Sequence, residues 1–98
     1  MDVRVTFMGV FASVTNEKEH LVHTEATITL RQLLELLEEH YGEDFGRRVF
    51  RSQTPPRMLQ SHTRIFINGN PILNDVLDQS LHGGPEVLIY LLPASTGG

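Results

Sequence analysis

Ninety-eight residues suffice for one hydrophobic core and not two, and 40% hydrophobic with 20% charged residues is ordinary for a globular chain. A formal net charge of −4 argues against a general nucleic-acid binder, which carries a basic surface, and suits docking onto a basic protein partner. The absence of cysteine excludes disulfides, thiolate metal sites and a thiol nucleophile. No apolar run approaches the ~18 residues of a membrane span, and Met1-Asp2-Val3-Arg4 does not open a secretory signal, so a cytoplasmic protein is expected.

Val3 to Met8 alternates, with Val3, Val5 and Phe7 on one side and Arg4, Thr6 and Met8 on the other, which predicts a strand with one buried face. Gly9 and the run Ala12-Ser13-Val14-Thr15-Asn16 read as a turn. A second strand is expected over His20–Thr24, forming an antiparallel hairpin with the first. Leu30, Leu33, Leu34, Leu37 and Tyr41 fall at i, i+3, i+4, i+7 and i+11, the apolar stripe of a helix. Thr29 and Gln32 have the spacing of a capping box, Ile28 can act as a staple, and Gly42 supplies the stop.

Phe45, Val49 and Phe50 suggest a short second helix, broken by Thr54-Pro55-Pro56. Thr63–Asn68 reads as a third strand, with Ile65 and Ile67 facing one way and Arg64 and Phe66 the other. Asn68-Gly69 comes next as a strong turn signal. The segment holding Ile72, Val76 and Leu77 is too short for a long helix. After a turn at His82-Gly83-Gly84-Pro85, Glu86–Leu92 is apolar on both faces, as a central strand would be. First and last strands side by side in parallel bury both best under the single long helix. The expected class is therefore α+β: one mixed sheet of four to five strands with a helix packed across it.

Among the polar residues, His20 and His23 point to opposite faces of a strand, which argues against a shared metal ion. His40, His62 and His82 read as isolated and solvated. Glu35, Glu38, Glu39, Glu43 and Asp44 read as a solubilising acidic surface. Arg47, Arg48 and Arg51 are too few to bind nucleic acid.

The order of elements, the segment Ile65-Phe66-Ile67-Asn68-Gly69, the run Gly83-Gly84-Pro85-Glu86-Val87-Leu88-Ile89-Tyr90 and the final Gly97-Gly98 together resemble the ubiquitin-like β-grasp family. Within it, the chain is most similar to the sulfur carriers, in particular the small subunit of molybdopterin synthase and its archaeal relatives. Only Pro93 stands where that subunit usually has a pair of prolines.

The resemblance implies a β-grasp domain over residues 1–92 and a flexible tail over 93–98. An E1-like enzyme, using ATP, would adenylate the Gly98 carboxylate, and sulfur would then displace AMP to leave a thiocarboxylate. The carrier itself would be no enzyme and hold no permanent cofactor or metal. Its partners would be the activating enzyme and the molybdopterin synthase large subunit or another sulfur acceptor, with no nucleic acid and no membrane. A modifier joined to lysines, or a carrier serving tRNA thiolation or thiamine synthesis, would use the same end.

Gly97 and Gly98 carry no Cβ to block a narrow channel. Pro93 would stiffen the exit, and Ala94, Ser95 and Thr96 are small enough to thread; Pro93–Gly98 fully extended would reach roughly 20 Å. The sheet face away from the helix is the expected docking surface, through Met8, Phe66, Leu88 and Tyr90, unless the 43–56 segment folds over it.

Overall fold

In the computed structural model, which describes residues 1–91, β1 (Asp2–Met8) and β5 (Glu86–Leu91) run side by side in parallel. They form the middle of a five-stranded mixed sheet of order β2-β1-β5-β3-β4. β2 (Glu19–His23) pairs antiparallel with β1, and β3 (Thr63–Ile67) pairs antiparallel with β5. The short β4 (Asn70–Pro71) folds back on β3. Two consecutive positive φ angles, 51° at Asn68 and 85° at Gly69, make that reversal, which is why Asn-Gly stands there. The parallel placement of the first and last strands matches the sequence expectation. Its cause is apolar content: Val3, Val5 and Phe7 on β1 and Val87 and Ile89 on β5 are all buried on one face.

That face is covered by α2 (Leu30–Tyr41), whose Leu30, Leu33, Leu34 and Leu37 are fully buried. Each such side chain contributes about 1.5–3 kcal/mol relative to exposure. The expected capping box forms: Thr29 Oγ1 accepts from the Gln32 N–H at 3.1 Å, and Gln32 Oε1 accepts from the Thr29 N–H at 2.8 Å. Two further N–H groups of the first turn, those of Leu30 and Arg31, donate to the carbonyls of Gln79 and Leu77. The loop carrying the 3₁₀ turn Asn74–Val76 thus completes the helix start while burying Leu77 and Leu81.

Gly42, at φ 104°, ends α2 and opens α3 (Glu43–Val49), the short helix expected around Phe45 and Val49. Phe45, Val49 and Phe50 are all in the core, so this segment packs on the helix side of the sheet. The chain then returns along itself. Arg51 N–H donates to the Met58 carbonyl at 2.8 Å and Gln60 N–H to the Val49 carbonyl at 2.9 Å. Arg57 locks the return: its guanidinium lies 4.1 Å from the Phe50 ring centroid, and Nη1 and Nη2 hold the Glu38 carboxylate at 2.8 and 2.9 Å.

Three expectations are corrected. Val10–Thr15 is a helix, α1, where the composition suggests a turn. Gly9, at φ 62°, redirects the chain out of β1, and Phe11 and Thr15, one helical turn apart, are both buried. Phe11 meets the Phe45 ring edge-on at 5.6 Å, so tertiary burial outweighs the turn composition. β2 runs Glu19–His23, one residue earlier at both ends than the expected His20–Thr24. The acidic surface is not purely solvating, because the Glu38 side chain is only 18% exposed and is bound to Arg57.

Candidate functional site

The sheet face away from the helices is built by strand alternation. Each residue next to a buried core position on a strand turns outward. Register then gathers these outward residues. Met8 on β1 stands beside Tyr90 on β5, and Leu88 on β5 lies between Thr6 on β1 and Phe66 on β3. Together Thr6, Met8, Phe66, Leu88 and Tyr90, with Gly69, Glu86 and Val87, line an open apolar groove of about 500 Å³. Met8 is 45% exposed, and Phe66, Leu88 and Tyr90 are half-buried. No residue of the 43–62 segment lines the groove, since that segment packs on the opposite side of the sheet.

Charges flank this surface. Arg4, outward on β1, lies 3.6 Å from Glu19 and 3.9 Å from Glu86, exposed pairs worth at most about 1 kcal/mol each. Arg64 sits opposite Tyr90 in the β3–β5 register and donates from Nη1 to the Ser61 carbonyl at 2.6 Å. Thr6 and Glu86 are the polar side chains of a mostly apolar lining, so the groove suits an apolar protein surface framed by charges. The last described pair of β5, Thr63 opposite Leu91, is next to Tyr90, so the described part of the strand ends beside the Met8–Tyr90 end of the groove. Leu92, Pro93, Ala94, Ser95, Thr96, Gly97 and Gly98 lie outside the described residues, and with them the whole expected tail.

The four side chains singled out in the sequence are thus brought together in one concavity. Thr6 and Glu86 also line it and were not singled out, although the alternation Arg4, Thr6, Met8 puts Thr6 on the same face. Gly69 reaches the groove only through the β3–β4 reversal, a two-residue pairing too short to leave a periodic signal.

The histidines behave less simply than expected. His20 pairs with Val5, on the helix side, and His23 with Asp2, on the open side, so the two do diverge. His40 is not isolated: its ring stacks on that of His20 with centroids 4.7 Å apart, and it meets Tyr41 edge-on at 4.6 Å. The Tyr41 hydroxyl donates to Glu17 Oε1 at 2.9 Å. Partial burial, and then that bond to a carboxylate, raise the Tyr41 pKa above the ordinary phenol value. Arg47 and Arg48 pair with Asp44 on their own helix at 3.3 and 3.5 Å.

A mixed sheet with parallel first and last strands, grasping one long helix, defines the ubiquitin-like β-grasp class within α+β folds. No protein-family model matches the sequence, and no curated protein sequence matches it. Solved structures do. Small archaeal modifier protein 1 (SAMP1) from Methanosarcina acetivorans superposes with a TM-score of 0.79 at 19% identity, covering 96% of this chain and 95% of that one. A protein described as molybdopterin converting factor subunit 1 from Pyrococcus furiosus gives 0.72 at 19% identity, over 95% and 99%. A chain of the BexX/CysO complex from Amycolatopsis orientalis gives 0.69 at 16% identity, over 95% and 98%. These likenesses establish the fold over nearly the whole chain.

Proposed function

We propose that this chain is a small sulfur carrier. Its body docks through the Met8–Phe66–Leu88–Tyr90 groove while the Gly98 carboxylate reacts in a partner's site. The single observation that carries this reading is an apolar groove, uncovered by the chain's own segments among the described residues, beside the last described residues of β5. A docking surface next to the C-terminal end of β5 would let one partner hold the body and receive the residues that follow.

In the proposed chemistry, an E1-like enzyme joins the Gly98 carboxylate to the α-phosphate of ATP and releases pyrophosphate. A hydrosulfide ion then attacks the acyl carbon, forming the C–S bond as the bond to AMP breaks, and leaves a thiocarboxylate with the loss of its proton. The likeness to a molybdopterin converting factor subunit favours molybdopterin synthesis as the destination, with the synthase large subunit as acceptor. The similarity to a chain of the BexX/CysO complex supports a carrier that works on a partner. All catalysis is assigned to those partners.

A second reading has its own support, since SAMP1 is called a modifier. In that reading the same adenylate ends as an isopeptide bond between Gly98 and a lysine of another protein.

The test is pyrophosphate exchange into ATP with the activating enzyme of the source cells. The full chain is expected to support exchange, and a chain lacking Gly97 and Gly98 to support none. Equal exchange by both would overturn the proposal. Tryptic peptides carrying Gly98 on lysine would select the modifier reading.

A further inference from the structure

Away from the groove, on the helix side of the edge strand β2, Glu17, His20 and His40 converge, with their candidate ligand atoms all within 4.8 Å of one another. We propose that these residues form a binding site for a divalent first-row metal ion, zinc being the ion that best suits the donors. Two imidazoles and one carboxylate are a borderline nitrogen and oxygen set, which zinc accepts in tetrahedral geometry with bonds of about 2.0–2.2 Å. Such bonds put neighbouring ligand atoms roughly 3.3 Å apart. His20 Nδ1 and Glu17 Oε2 are already 3.6 Å apart.

Each ligand comes from a different, well-held part of the fold. His20 lies on β2, locked in register with Val5. His40 lies in the last turn of α2. Glu17 comes just after α1, where Asn16 takes a left-handed conformation at φ 60° and Thr15 Oγ1 accepts from the Glu17 N–H at 3.2 Å. Tyr41 then orients the carboxylate. Its hydroxyl donates to Oε1, and the other oxygen, Oε2, faces His20. That is the outer-shell support typical of carboxylate metal ligands.

One adjustment is required. The His20 and His40 rings are stacked at 26°, and nearly parallel rings do not aim two lone pairs at one point. His40 is exposed, so its ring can rotate out of the stack to another rotamer without disturbing the core. Three protein ligands leave a fourth position for water or an outside ligand. A bound ion would join the α1–β2 turn and the sheet edge to the end of α2, and so stabilise the folded chain.

The experiment titrates zinc chloride into the untagged, chelator-treated full chain, monitored by calorimetry and thermal unfolding. The expected result is one ion per chain and a raised Tm, with magnesium giving no shift. His40→Ala and Glu17→Gln are each expected to weaken zinc binding at least about tenfold. Both positions are peripheral to the core, so these variants remain readable even if His20→Ala fails to fold. His23→Ala, which removes the histidine beside Asp2 and Glu25, is expected to leave binding unchanged. Cobalt in place of zinc is expected to give the visible absorption of a tetrahedral nitrogen and oxygen site. No binding with zinc in large excess, binding unaffected by His40→Ala and Glu17→Gln, or binding lost only in His23→Ala would overturn the proposal.

Discussion

The carboxylate of Glu38 occupies the space that a side chain on Gly46 would need. A Cβ built on Gly46 would collide with Glu38 Oε2 and lie 2.5 Å from its carboxyl carbon. Glu38 cannot simply swing away, because the same carboxylate grips Arg57, whose side chain is 11% exposed. Through Arg57 the contact reaches Arg31, whose Nη1 donates to the Arg57 carbonyl, and the ring of Phe50. The α2–α3 junction, and the return of the 51–60 segment onto it, therefore depend on a missing side chain.

Gly46→Ala is accordingly expected to destabilise, although alanine exceeds glycine in helix propensity by about 1 kcal/mol. Displacing a mostly buried carboxylate from its guanidinium partner outweighs that gain, for a net loss of about 1–3 kcal/mol. Urea unfolding of the single and double variants checks the cause. In a Glu38→Ala background the obstruction is gone, and Gly46→Ala is expected to become neutral or stabilising.

This contact also marks how far the sequence alone can be read. Periodicity is repeated information, so α2, with four buried leucines in one stripe, and the alternating β1 are legible with their capping and facing. The parallel β1–β5 centre is legible too, from two strands needing one cover. The groove residues are legible because alternation alone assigns a face. α1 is not, since six residues with Phe11 and Thr15 as the only buried positions give too few turns for a period. Nor are the pairings of Glu38 with Arg57 or His20 with His40, which join residues 19 and 20 positions apart through tertiary packing.

Asn68 closes the β3–β4 turn and also reaches β5. Its N–H donates to the Glu86 carbonyl at 2.8 Å, and its Oδ1 accepts from the Glu86 N–H at 3.0 Å. Asn68→Ala loses the side-chain bond and strains a φ of 51°, at a cost of about 2 kcal/mol. Asn68→Gly loses only the bond, apart from added chain entropy, and is expected to cost less. Chemical denaturation that ranks glycine as the more damaging would contradict this reading of the turn.

Acid should weaken the start of α2. Arg31 Nε donates to Asp78 Oδ1 at 2.8 Å, and this bond holds the Asp78 pKa below the ordinary 3.8. A depressed carboxyl pKa stabilises the fold above the unfolded value. That contribution is lost as pH falls through the folded value, below 3.8. Arg31 stays charged throughout, so the dependence belongs to Asp78. Asp78→Asn is expected to lower Tm at neutral pH, and the gap from the unaltered chain is expected to close below pH 3.8. A constant gap across that window would exclude the pair as its source.

Charged substitutions in the groove should separate stability from function. Met8 is 45% exposed, so Met8→Asp is expected to change unfolding free energy by no more than about 0.5 kcal/mol. The same variant, alone or with Tyr90→Asp, is expected to lose most of its activation by the adenylating enzyme. Undiminished activation of the double variant would remove the groove from the docking surface.

The most direct measurement is the intact mass of the protein isolated from its own cells under conditions that preserve thioacids. The expected species is a chain in which one oxygen of the Gly98 carboxylate has been replaced by sulfur, absent from a strain lacking the activating enzyme. A population carrying only the ordinary carboxylate in both strains would contradict a sulfur-carrier role.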